Sequence, residues 1–136
     1  MHPKRKLLLG VAFGVAALIL LAAFLLSTPM MAWVQGRIDR DPASTFSRDL
    51  QMTTADLCLA TWRPEEAATR YRLYYERYTK DIRRPHALLR YAIALEDAGR
   101  TADAKEIYRK YLAEYPDHEE KAEAEIGLNR AEHSWR

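Results

Sequence analysis

Residues Leu7 to Leu26 form an unbroken run of twenty residues with no charged or strongly polar side chain. As a helix, with about 1.5 Å of rise per residue, the run is about 30 Å long, the thickness of a bilayer's hydrocarbon core. Such a segment predicts a transmembrane helix. A cleaved signal peptide is the alternative, but its apolar core is shorter, about 7–15 residues, and small residues mark its cleavage site. Here the run leads into Ser27-Thr28-Pro29-Met30-Met31 without an A-x-A pattern. A lipid-modified junction needs a cysteine, and the only cysteine is Cys58. The reading is an uncleaved single-pass anchor.

Flanking charge sets the orientation. Lys4, Arg5 and Lys6 precede the run without an acid among them, whereas Arg37 and Arg40 beyond it are balanced by Asp39 and Asp41. The positive-inside rule then leaves residues 1–6 as a cytoplasmic basic tail and carries the rest across. Trp33 falls where an indole can rest at the headgroups, or it is an ordinary residue of the juxtamembrane linker expected over 27–42. Gly10 and Gly14 stand one helical turn apart. Such a pair lets a second membrane helix approach closely, although glycine is also simply frequent in membrane helices.

About 110 residues remain after the anchor, enough for one small domain. The formal charge of +2 belongs to the N-terminal tail: beyond it stand 18 basic residues and all 19 acids. That balance makes no electrostatic case for nucleic acid. The charge is uneven, however. From Arg63 to Arg90 eight basic residues face four acids, and from Tyr91 onward seven face eleven. A body polarised in this way can stack head to tail as a homo-oligomer or dock on a complementary protein, or it can simply present solvated helix faces.

The body reads as paired helices. Leu88, Tyr91, Ala92 and Leu95 follow the i, i+3, i+4, i+7 spacing of one helix face over 85–98. Gly99 suits the left-handed backbone of a C-cap. Thr101 can cap the next helix, whose stripe is Ala104, Tyr108, Tyr111, Leu112 and Tyr115, and Pro116 stops it. The same stripe occurs 37 residues earlier, as Ala67, Tyr71, Tyr74, Tyr75 and Tyr78, in a helix opened by Pro64. Its partner is expected over 43–61, starting near Asp41-Pro42, with Leu50, Thr54, Leu57 and Cys58 facing inward. No glycine marks the turn at Thr61-Trp62-Arg63. A fifth helix of the body is expected over 117–135, with Ala124, Leu128, Ala131 and Trp135 as its stripe and Asp117 at its start.

These features resemble a tetratricopeptide repeat. Counted from Pro85 as the first of 34 positions, Gly99 falls on the turn, Ala104 on the small residue where the helices cross, Tyr108 on the neighbouring aromatic and Pro116 on the terminal proline. Leu88, Tyr91, Ala92 and Leu95 depart from the usual first-helix residues, and Tyr111 replaces an alanine. The resemblance implies an all-α fold: a short stack of antiparallel helical hairpins over 43–136, about two repeats with a C-terminal capping helix. It also implies a concave binding face lined by the first helix of each pair. His86, Leu89, Arg90, Ile93, Glu96 and Asp97 would lie there, joined by Met52, Asp56 and Leu59 of the earlier pair.

Tyr111 to Pro116, Tyr-Leu-x-x-Tyr-Pro, is similar to wording found in periplasmic tetratricopeptide proteins of bacterial envelopes. That likeness places the expected domain on the periplasmic side of a bacterial inner membrane. The expected function is a membrane-anchored adaptor or scaffold that binds proteins, with membrane lipid contacted through the anchor. The alternative is an accessory subunit of a larger membrane complex, held partly by Gly10 and Gly14. About three repeats are usually needed for independent stability, so a body of two repeats and a cap is expected to be marginal alone or to self-associate.

No catalytic constellation accompanies this pattern. H-E-x-x-H, C-x-x-C and the phosphate-binding G-x-x-x-x-G-K-[ST] do not occur, and His2, His86, His118 and His133 are dispersed. The expectation is a non-enzyme without cofactor or metal. Tyr71, Tyr74, Tyr75 and Tyr78, interleaved with Arg70, Arg72 and Arg77, are the residues to weigh for stacking on bases or a polysaccharide. The matching stripe at Tyr108–Tyr115 favours core packing instead.

Overall fold

A computed structural model describes residues 3–134 and is helical throughout, with no strand among the described residues. Seven helices follow in order: α1 Pro3–Leu25, α2 Thr28–Arg40, α3 Thr45–Ala60, α4 Pro64–Arg77, α5 Arg84–Asp97, α6 Thr101–Glu114 and α7 Lys121–His133. They fall into two units, one ending at Arg40 and the other beginning at Asp41. Trp135, expected in the last stripe, lies outside the described residues, as does His2.

In the first unit, Lys4–Leu25 is long and apolar enough to cross a membrane, and its side chains are exposed. A signal sequence meets the same test. Pro29 lacks the amide that would bond the Leu25 carbonyl, which disfavours a single continuous helix through it. The chain turns at Leu26-Ser27 and resumes as α2. The segment expected as a linker is therefore largely helical.

The second unit is a stack of hairpins in which each helix packs on the next. The stack repeats at an offset of 37 residues, and the repeat extends well beyond the tyrosine stripe. At the two hairpin turns the amide of Arg63 donates to the Cys58 carbonyl at 2.9 Å, and that of Arg100 to the Leu95 carbonyl at 2.8 Å. Both are Schellman closures, which require a left-handed residue just before the donor. Gly99 fills that position with φ of 78°, and Trp62 fills it with φ of 61°. Arg63 then pairs with Glu66, and Arg100 with Asp103.

The connections after α4 and α6 share a second device. Tyr74 donates its hydroxyl to Asp81 at 2.7 Å, and Asp81 also accepts the Arg83 amide at 2.8 Å. Thirty-seven residues on, Tyr111 and the Glu120 amide meet Nδ1 of His118 at 2.6 and 3.4 Å. These bonds hold the loops between hairpins.

The core follows the tyrosine stripes. Tyr71, Tyr74, Tyr108 and Tyr111 are fully buried, and Ala67 and Ala104 are small residues buried at the same position of α4 and α6. Leu88, Leu89, Ala92 and Leu95 of α5 fill the space between. Arg84 joins the two hairpins: its Nε donates to the Tyr75 carbonyl at 3.0 Å and its Nη1 to the Tyr115 hydroxyl at 2.9 Å. Its guanidinium also lies 4.0 Å from the centre of the Tyr75 ring.

Three expectations need correction. In α3 the inward face is Ser47, Gln51, Thr54, Ala55 and Cys58, whereas Leu57 is exposed and Leu50 only half-buried. Gln51 takes the central place because its Nε2 reaches the Arg70 carbonyl at 3.0 Å, so a buried amide is satisfied where an aliphatic side chain was expected. The helix is also capped by the Ser44 hydroxyl, which accepts the Ser47 amide at 3.1 Å, rather than opened at Asp41. At the other end, Asp117 does not begin α7. The turn through His118 intervenes, and the helix starts at Lys121.

Trp62 carries an expected result of its own. A bulky residue in the left-handed region costs about 1–2 kcal/mol, while glycine adds freedom to the unfolded chain. Trp62→Gly should therefore raise the stability of the hairpin stack by about 0.5–1 kcal/mol, read as a higher urea midpoint of the full chain in detergent micelles.

Candidate protein-binding surface

The residues expected on the concave face come from α3 and α5, and the structure assigns them different tasks. Leu89 is fully buried, because the stripe of α5 is broad enough to cover α4 and α6 together, and Met52 of α3 is nearly so, which makes both core residues. His86 is bound: its Nδ1 lies 2.8 and 3.0 Å from the two carboxylate oxygens of Glu120, joining α5 to the turn before α7. Asp56 accepts the hydroxyl of buried Tyr71. Burial, and then this carboxylate, push the Tyr71 phenol well above its ordinary range, while the nearby Arg90 guanidinium opposes the shift.

Glu96 accepts the Tyr108 hydroxyl at 2.8 Å and the Nη2 of Arg130 at 2.8 Å, so it ties α5 to both α6 and α7. Arg130 and Tyr108 hold its carboxyl below the usual value against the opposing effect of burial. A depressed folded-state value adds stability above the unfolded value of about 4.3, and that contribution is lost as pH falls through the folded value. Acidification below about pH 4 should thus loosen α7 first. Faster amide exchange in 121–133 than in 64–77, corrected for intrinsic rates, is the expected observation, with a smaller acid effect in Glu96→Gln.

Three of the expected residues remain available, half-exposed Leu59 among them. Ile93 is half-exposed, and Asp97 is exposed with no hydrogen bond or ion pair to another described residue. Asp97 does not point to the middle of the face. With Leu59, Ala60, Trp62 and Pro64 it lines a cavity of about 460 Å³ at the hairpin-turn end of the stack. Trp62 was passed over in the sequence as a turn lacking glycine. The 37-residue offset that sets it against Gly99 is the signal that could have singled it out.

The tyrosines are not a stacking platform. Tyr71 and Tyr74 are fully buried and Tyr75 is 7 % exposed, so no base or sugar ring can reach their faces. Cys58 is buried as a free thiol, and burial pushes its titration up. Gly10 and Gly14 lie on an open face of α1, where an added Cβ would meet nothing within 4 Å. Among the described residues no group of three or more histidine, cysteine or carboxylate side chains converges as a metal site.

No curated protein matches the chain. A family model, the tetratricopeptide repeat, matches residues 86–118, which covers α5, α6 and the loop to His118. Repeats of this type are typically non-catalytic and mediate contacts between proteins. With that repeat at its centre, a second hairpin related to it by 37 residues, and α7 closing the stack, the chain is a tetratricopeptide-repeat-like helical protein.

Proposed function

We propose that this protein is a membrane-anchored adaptor whose hairpin stack binds other proteins on the extracytoplasmic face of a bacterial inner membrane. In this reading residues 1–6 are a cytoplasmic tail, 7–26 span the bilayer, 27–42 lead away from it and 43–136 bind the partner. The repeat match over 86–118 carries the reading, because repeats of this type mediate contacts between proteins and the chain also has a helix of membrane-crossing length. The excess of Lys4, Arg5 and Lys6 before that helix supports the orientation.

Affinity purification from intact membranes, with mass spectrometry of what co-elutes, tests the adaptor reading. The expected result is a defined set of partners that is lost when 43–136 is deleted. Protease added to spheroplasts should cut the body while sparing the N-terminus. A body protected from protease, or a mature chain lacking its first thirty residues, would overturn the anchored topology.

A second reading, an accessory subunit of a membrane complex, is favoured by the open Gly10 and Gly14 face. Replacing residues 7–26 by an unrelated apolar helix separates the two. Retained partners support the adaptor, and lost partners support the subunit.

A further inference from the structure

We infer that the cavity beside Trp62 receives an arginine side chain from a partner polypeptide. The inference rests on the adaptor reading and deepens it by naming one contact.

Trp62 is 93 % exposed and stands at φ of 61°, in the position the sister hairpin gives to Gly99. Neither burial nor backbone preference accounts for an indole there: the ring covers no core, and the conformation favours glycine. What the indole does is form one wall of a cavity of about 460 Å³ whose other lining is Leu59, Ala60, Pro64 and Asp97. The lining is thus apolar, with an aromatic face and a single carboxylate. The cations nearest in sequence are engaged elsewhere. Arg63 lies 2.5 Å from Glu66, and Arg100 lies 2.7 Å from Asp103 and 3.5 Å from Glu65. Asp97 has no such partner among the described residues.

A long apolar stem ending in a planar cation complements this lining. The methylenes of an arginine cover Leu59 and Pro64, the guanidinium stacks on the indole, and its N–H groups donate to Asp97. Lysine supplies the charge without the planar stacking and binds less well. The cavity also lies at the end of the stack far from the chain's entry. Asp41 precedes the N-terminus of α3, and Trp62 follows its C-terminus sixteen helical residues later.

The test uses the full chain in zwitterionic nanodiscs and a displayed heptapeptide library as probe. Enriched peptides should share an arginine beside an aliphatic residue. A synthetic peptide of the enriched sequence should lose at least tenfold in affinity when its arginine is replaced by glutamate. The same loss is expected with Trp62→Gly, which suits the local backbone, and with Asp97→Asn, which keeps the side chain's shape and removes its charge. Ile82→Ser, at the opposite end of the stack, should change affinity less than twofold. Absence of enrichment, enriched peptides without a cation, or binding indifferent to both cavity variants overturns the inference. So does quenching of Trp62 by brominated lipid in a Trp33→Phe/Trp135→Phe chain, which would make lipid the occupant. If Trp62→Gly keeps every partner in purification from membranes, this contact fails while the adaptor reading stands. If no partner co-elutes with the unaltered chain, the adaptor reading itself fails.

Discussion

Truncation of Tyr108 to alanine should lower the stability of the hairpin stack by about 3–5 kcal/mol, the usual cost of emptying a buried aromatic site. Tyr108 is fully buried in α6, and its hydroxyl donates to Glu96 on α5. The substitution therefore removes the ring that fills the space between α5, α6 and α7 and leaves Glu96 with Arg130 alone. Tyr108→Phe separates the two effects. It keeps the ring and loses one hydrogen bond to a charged acceptor, for a cost of about 1.5–3 kcal/mol. Urea titration of the full chain in detergent micelles, followed by near-ultraviolet tyrosine signal, measures both. A Tyr108→Ala midpoint equal to that of the unaltered chain would mean that the ring is not a core residue.

Gly127→Val should destabilise the same region by about 1–3 kcal/mol, the range for overpacking a filled core. A Cβ at position 127 would lie 2.4 Å from Cζ of Tyr108, closer than two non-bonded carbons can approach. Glycine in a helix interior ordinarily costs about 1 kcal/mol relative to alanine. Here the lost side chain is what lets the phenol cross under α7. The clash depends on Tyr108, so the two sites are coupled. Combined with Tyr108→Leu, Gly127→Val should cost at least 1 kcal/mol less than it does alone, because the smaller side chain vacates the space. Additive effects in that double-mutant cycle would show that the two residues do not touch.

Much of this architecture was legible because helical period and punctuation agree. In α5 and α6 the stripe, Gly99, Thr101 and Pro116 all point to one hairpin, and the helices end within a residue or two of those marks. The earlier hairpin was legible only through its likeness to the later one. Hydropathy misassigned α3, where Gln51 is buried and Leu57 is exposed. A single amide bonded to the Arg70 carbonyl reverses the expected order, and no pattern of apolar residues encodes that bond. The helix over 28–40 was missed because Pro29 and the mixed composition after it read as a tether. Proline in the first turn of a helix costs little. The face expected to bind was the least legible part. Its charged residues pair with partners elsewhere in the stack, Glu96 with Arg130 on α7 and His86 with Glu120 in the turn before it, and sequence spacing gives no account of contacts 34 residues apart.

The Arg84 bridge between Tyr75 and Tyr115 has a consequence for how a partner is met. A guanidinium bonded to both hairpins, and laid on one of their rings, opposes any hinge between them. Under the adaptor proposal, a visitor would conform to a template already cast. Encounter is then governed by orientation at first collision, and the conformational cost of recognition falls on the incoming chain.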